Sequence, residues 1–363
     1  MYYYRPINAT TLGPKSSNFN FSRQFLIVLL LFAWILGSQA RRLSIYNAPG
    51  VRNGETKPLR VMTFNIWICG GNVKNGLDKI VGHVKQVEPD IVAFQEVENE
   101  TCFENLARKL GPQWAGRHKN VSQYPDVAVF TRWPMYQQTF AQTNFAMGIT
   151  ILYPTGRRGY VPVNFWAVHL QFTSYGPYAA CNKMCTDGAQ IMAGEMGLGE
   201  ENETEGRVQN VRNILANDRF KTALNAADQA LLVVGDFNSP SHLDWLSSVR
   251  SHHCNWTYAW PATRMFASEA GLRDSYRDLH QDIDDEPGTT WSTVQKFSDG
   301  WGYMIPEPQD RIDFILYKPR ARLVPINSFV FHGRSPIQPK PHHADNMWPS
   351  DHSAVITDFD IRE

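Results

Sequence analysis

Eight polar residues stand where apolar, strand-like runs end: Asn65, Glu96, His169, Asp236 with Asn238, Asp313, and Asp351 with His352. A charge at the end of a buried strand is costly to desolvate unless a metal, a partner or a substrate compensates it. Taken alone, each of these residues is better explained as an ordinary turn residue or a helix cap than as a functional group. As a set they suggest a particular chemistry. Carboxylates and carboxamides are the oxygen donors that Mg²⁺ prefers, and one or two carboxylates are enough because the ion keeps several waters. Imidazole titrates near neutrality, and a carboxylate on one ring nitrogen fixes the tautomer and favours the charged form. A phosphate ester repels an incoming hydroxide, so its hydrolysis needs positive charge at the equatorial oxygens, which a bound cation supplies.

The local sequences around these positions are MTFNIW (Met62–Trp67), VAFQEV (Val92–Val97), AVHLQ (Ala167–Gln171), VVGDFNSP (Val233–Pro240), DRIDFILY (Asp310–Tyr317) and PSDHSAV (Pro349–Val355). Six such segments, in this order, resemble the endonuclease/exonuclease/phosphatase superfamily, from about Leu59 to the C-terminus. The resemblance implies an α/β fold, a four-layered α/β sandwich in which two mainly antiparallel sheets pack face to face with helices outside. It also implies hydrolysis of phosphate esters with a divalent ion, Mg²⁺ or Mn²⁺. Carried over residue by residue, it makes Glu96 the principal metal ligand, with Asn65 as ligand or orienting group and Asp351 as a further ligand. His169 would donate to a non-bridging phosphate oxygen, and Asp236 and Asn238 would position the nucleophilic water and the phosphate. His352 would be the acid/base imidazole, held by Asp313.

The elements that must position these residues follow from periodicity. Strands are expected at Leu59–Asn65, Asp90–Glu96, Asp126–Thr131, Gly148–Tyr153, Val161–Leu170, Ala230–Phe237, Arg311–Tyr317 and Ala354–Phe359. Leu77, Ile80, Val81, Val84 and Val87 recur at helical spacing, so Asn75–Val87 is an amphipathic helix. Val208, Val211, Ile214 and Leu215 mark another before the strand at Ala230. Thr173–Gly206 and Gln281–Gln309 read as insertions at element ends, where binding loops usually sit. No Pro/Gly linker divides the chain, so residues 59–363 form one domain, preceded by a leader over 41–58.

The N-terminus reads as an address. Arg23 precedes an apolar run, Phe25–Leu36, followed by Gly37-Ser38-Gln39-Ala40. That layout is a secretory signal peptide over residues 1–40 with cleavage after Ala40. The alternative is an uncleaved membrane anchor, although the apolar run is short of the about 20 residues a span wants. Secretion agrees with four glycosylation acceptors, at Asn99, Asn120, Asn202 and Asn255. Of the cysteines Cys69, Cys102, Cys181, Cys185 and Cys254, the close pair Cys181 and Cys185 could form a bridge in an oxidising compartment, and one cysteine must be left over.

Basic and acidic residues both number 35, and removing the first forty leaves 32 against 35, about −3. The basic footprint of a nucleic-acid binder is missing, which weakens that class without excluding it. The resemblance implies a phosphate-ester substrate, either nucleic acid or a phospholipid headgroup, and implies no stable protein partner. A phosphodiesterase or nuclease outside the cell is the leading reading. A phosphatase or sphingomyelinase-like lipid phosphodiesterase is the second, and a secreted binding protein without turnover the third. A calcineurin-like phosphatase would need GNH[DE] and a serine hydrolase Gly-x-Ser-x-Gly, and neither is present. The cluster His342-His343-Ala344-Asp345 reads as a polar surface loop or a second metal site. Tyr175, Pro177 and Tyr178 either grip substrate or pack a loop.

Overall fold

In the computed structural model, residues 57–362 are described except 122–123, 156–158, 198–204 and 320–321. The signal or anchor, most of the leader and Asn202 lie outside the described residues. Twelve strands form two six-stranded sheets. The first contains β1 (Leu59–Asn65), β2 (Ile91–Val97), β3 (Ala115–His118), β4 (Asp126–Thr131), β11 (Leu323–Phe331) and β12 (Ala354–Ile361), in the order β11-β12-β1-β2-β4-β3. The second contains β5 (Met135–Thr143), β6 (Ala146–Pro154), β7 (Tyr160–His169), β8 (Ala230–Asp236), β9 (Arg273–Asp274) and β10 (Asp313–Tyr317), in the order β5-β6-β7-β8-β10-β9. Each sheet is antiparallel apart from one parallel pair near its centre, β1 with β2 and β7 with β8.

Alternation along the strands builds the layers. In β1, Leu59 and Val61 enter the apolar cluster between the sheets, while Met62 and Phe64 face outward. There they meet Ile80, Val81 and Val84 of the helix Gly76–Val87 and Leu106 of Glu100–Leu110. In β8, Ala230, Leu232 and Val234 point between the sheets, and Leu231 and Val233 pack under the helices Arg207–Ala216, Asp218–Asn225 and Pro261–Ala270. The result is helices, sheet, sheet, helices. This is the four-layered sandwich.

All eight strands expected from sequence are present, and they are the interior strands of the two sheets. The four that periodicity did not mark, β3, β5, β9 and β11, are the four edge strands. An edge strand is partly exposed: β5 has no buried residue at all, and β11, though apolar in composition, buries only three of its nine. The expected insertion Thr173–Gly206 is partly helical, with helices at Gly176–Cys181 and Gly188–Met196.

The cysteine expectation needs correction. Cys181 pairs with Cys254, not Cys185, and Cys69 pairs with Cys102. Cys181 ends a helix whose following turn carries Cys185 into an apolar cluster with Trp245 and Trp260, where it is buried as a free thiol.

Candidate active site

The inter-sheet stripe of each central strand ends in one of the polar residues. Asn65 continues Leu59 and Val61, His169 continues Phe165 and Ala167, and Asp236 continues Leu232 and Val234. Asp313 opens β10 in phase with Ile315 and Tyr317. Sheet register then sets three of them in a row, since His169 pairs with Asp236 across β7 and β8, and Asp313 with Asp236 across β10 and β8. Gly235 permits this close pairing, because a Cβ there would lie 1.9 Å from the Val168 carbonyl oxygen.

Glu96 is out of phase by alternation and is re-aimed by a β-bulge. Phe94 and Val97 both pack on the helix side, and the register of β2 against β4 shifts between them. Glu96 (φ 62°) and Asp126 (φ 64°), which opens β4 opposite Val97, both adopt left-handed backbone conformations. Strained backbone of this kind concentrates at functional sites.

The side chains converge on Asp236. Its Oδ2 accepts from Asn65 Nδ2 at 3.0 Å and lies 3.6 Å from His169 Nε2 and 3.7 Å from His352 Nε2. Asn238 N–H donates to its Oδ1 at 2.7 Å. Each imidazole is backed by a carboxylate through Nδ1: His352 by Asp313 at 2.9 Å, and His169 by Asp126 at 2.7 Å. Asp126 is the residue that sequence reading missed. It stands at the head of an apolar strand as Asp313 does, and that shared position was the available signal.

Burial pushes both imidazoles toward neutrality, but their carboxylates overcome it. His352 is raised to about 10, chiefly by Asp313 and Asp236, and His169 to about 9, chiefly by Asp126. Asp126 is held below the usual carboxylate range because His169 and Lys119 outweigh its burial. Asp236 is pushed up to about 6 by burial and by Asp313, against the opposing pull of the two imidazoles.

Glu96 and Asp351 form the oxygen-rich side of the site. Asn65 Nδ2 donates to Glu96 Oε1 at 3.1 Å and the Ile68 N–H to Oε2 at 2.7 Å. Asp351 is raised to about 7, first by burial and also by Glu96, and its buried Oδ1 has no hydrogen-bond partner. A buried carboxylate oxygen without a donor, facing a second carboxylate, is what a divalent cation would satisfy. Asp236, Asp313 and His352 also lie close enough to share an ion. There Asp313 Oδ2 already holds the imidazole, although its Oδ1 also has no hydrogen-bond partner; Glu96 and Asp351, which hold no imidazole through a hydrogen bond, fit a hard cation better.

Glu96, His169, Asn238, Asp351 and His352 line one cavity of about 450 Å³, and Asn65, Asp236 and Asp313 support it from below. Its remaining wall is mostly aromatic, with Trp67, Tyr124, Phe172, Tyr175, Tyr178 and Trp291, beside Ile68, Ile312 and Gln295. Of these, sequence reading singled out only the two tyrosines of the 175–178 segment. The His342–Asp345 cluster does not line the cavity but sits behind its wall, with His343 packed against Trp67 and Asp345 paired to Lys74, and it forms no metal-holding group among the described residues.

The sequence profile of the Endonuclease/Exonuclease/phosphatase family matches residues 62–352, a span that includes all eight expected site residues. The chain belongs to this family. It is therefore a phosphoester hydrolase that depends on a divalent metal. It is 39% identical over 335 residues to the uncharacterized protein F14F9.5 of Caenorhabditis elegans, covering 92% of this chain and 99% of that one. Similar solved structures include the human Nocturnin catalytic domain with bound sulfate, at 18% identity and TM-score 0.48, covering 84% of this chain and 95% of that chain. Another is an AP endonuclease from Archaeoglobus fulgidus, at 16% identity and TM-score 0.48, covering 84% and 100% respectively.

Proposed function

We propose that this family member is a phosphodiesterase of the secretory route that works with Mg²⁺ or Mn²⁺. The observation that carries the reading is the convergence of two carboxylate-backed imidazoles, at 3.6 and 3.7 Å, on one oxygen of Asp236.

In this reading Glu96 and Asp351 would hold the cation, with Asn65 orienting Glu96, and a cation there would supply positive charge for the phosphate oxygens. His169, kept protonated by Asp126, donates to a non-bridging oxygen. Asp236, with a carboxyl near 6, is poised to take a proton from the attacking water, and Asn238 helps place that water and the phosphate. His352, kept protonated by Asp313, delivers a proton to the departing oxygen.

The extracellular assignment is supported by the two disulfides, which persist in oxidising compartments. The acceptors Asn99, Asn120 and Asn255 are exposed, as glycosylation requires. Hydrolysis assayed across DNA, RNA, sphingomyelin and phosphoinositides with Mg²⁺ tests the reading. Metal-dependent release from at least one diester is expected, and release only from monoesters would overturn it.

A further inference from the structure

The aromatic wall of the cavity has no part in the hydrolysis as written above. Tyr175 and Tyr178 come from the segment after β7 and Trp291 from the stretch before β10, and all three line the cavity beside the two imidazoles. The tyrosine rings meet edge to face, with centroids 5.2 Å apart and planes at 79°. Trp291 packs against the His352 ring at 4.8 Å, so the wall starts at the catalytic imidazole.

The polar edges of this wall are engaged outside the cavity. Tyr175 donates its phenol to Asp310 Oδ2 at 3.0 Å, and Asp310 also accepts from Trp245 Nε1 at 2.9 Å. Trp291 Nε1 donates to Glu307 Oε1 at 3.2 Å, and the Tyr178 phenol donates to the same oxygen. Neither Asp310 nor Glu307 lines the cavity. What the three side chains offer a ligand is therefore π surface, made more electron-rich where a phenol donates to a carboxylate.

Charge narrows the choice of ligand. The described lining carries the carboxylates of Glu96 and Asp351 and the imidazoliums of His169 and His352, and no Lys or Arg. Lys340 lies over the Trp67 ring at 5.2 Å but is not part of the lining. A polynucleotide is held chiefly by Lys and Arg on its phosphates, and this cavity offers none. A cation seated among perpendicular aromatic rings is attracted by their faces, and quaternary ammonium groups are recognised in this way.

We propose that Tyr175, Tyr178 and Trp291 form a subsite for a quaternary ammonium group on the alcohol esterified to the substrate phosphate. The proposal rests on the phosphodiesterase reading and adds the substrate class. The reaction is unchanged: water adds to phosphorus, the bond to the departing oxygen breaks, that oxygen takes a proton, and the ammonium-bearing phosphate monoester is released.

The test compares p-nitrophenyl phosphorylcholine with its uncharged carbon isostere, p-nitrophenyl 3,3-dimethylbutyl phosphate, using the full-length protein and Mg²⁺. Desolvated cation–π contacts predict that kcat/KM favours the cation by roughly tenfold or more. Tyr178→Leu should collapse this ratio, and Tyr178→Phe, which keeps the ring, should retain most of it. A wild-type ratio below roughly threefold, the scale of a single exposed contact, overturns the proposal without any variant being needed. So does a clear preference for thymidine 5′-p-nitrophenyl phosphate over both. In either case turnover itself leaves the phosphodiesterase reading standing. Absence of turnover on these substrates and on bis(p-nitrophenyl) phosphate, with Mg²⁺ or Mn²⁺, overturns that reading and the subsite with it.

Discussion

Replacing Asp313 by Asn tests the imidazole arrangement with little change of shape. Asp313 is buried, and its Oδ2 lies 2.9 Å from His352 Nδ1. Burial alone would lower the His352 pKa; the neighbouring carboxylates, Asp313 foremost, raise it to about 10. Without that carboxylate the His352 pKa falls, since only Asp236, 3.7 Å from Nε2, and Asp351 remain to oppose burial, and less of the ring stays protonated. Loss of the fixed tautomer adds to this. The combined fall in kcat should be about 10²-fold, at the lower end of the acid–base range, with KM changing little. The alkaline limb of the kcat profile should move to lower pH, because the ring loses its proton more readily once Asp313 no longer holds it. The assay is hydrolysis of bis(p-nitrophenyl) phosphate at saturating Mg²⁺ across pH 5–10, with thermal unfolding in parallel. His352→Ala should be more damaging, and the double variant no worse than His352→Ala, since the two residues act as one unit. Near-normal turnover in a destabilised protein, or losses that multiply in the double variant, would refute the reasoning.

Three further expectations follow from other parts of the structure. His169 is raised from 6.5 to about 9, so its contribution to stability is complete below about pH 6.5 and is lost as pH rises through 9. The melting temperature of metal-free protein should therefore drop over that range, and a drop unchanged in His169→Gln would contradict the Asp126 pairing. Non-reducing peptide mapping should recover Cys69–Cys102 and Cys181–Cys254, with Cys185 alkylated only after unfolding. Removing the second bridge, which spans 73 residues, should cost up to ~4 kcal/mol in denaturant unfolding, and a Cys181–Cys185 peptide would contradict the pairing. Secreted material should begin near Arg41 and carry glycans on some of Asn99, Asn120, Asn202 and Asn255, whereas a product retaining Phe25–Leu36 in the membrane fraction would favour the anchor.

What could be read in the sequence follows burial. The eight interior strands are covered on both faces and so appear as continuous apolar runs, from Leu59–Asn65 to Ala354–Ile361. The edge strands β3, β5 and β9 are partly wet and carry no such run, whereas β11 carries one, interrupted by the exposed Ile326 and Asn327, that the sequence reading passed over. The helix Glu100–Leu110 buries only Cys102, Leu106 and Leu110, too sparse a stripe to stand out. Asn65, His169, Asp236 and Asp313 were legible because each adds a polar residue to an apolar run in phase with the inter-sheet face. Asp126 was not recognised because its role depends on a bulge two strands away in sequence, where β4 crosses Glu96. The cysteine partners depend on loops meeting in space, so the nearest cysteine in sequence was a poor guide to pairing.

The most direct test of the account is a Mg²⁺ titration of the hydrolysis of bis(p-nitrophenyl) phosphate, after dialysis against EDTA, for the wild type and Glu96→Gln. The account predicts no turnover in the dialysed protein, saturable recovery in the wild type, and recovery in Glu96→Gln only at much higher Mg²⁺ with the fold intact. Full turnover in the presence of chelator, or an unaltered Mg²⁺ requirement in Glu96→Gln, would contradict it.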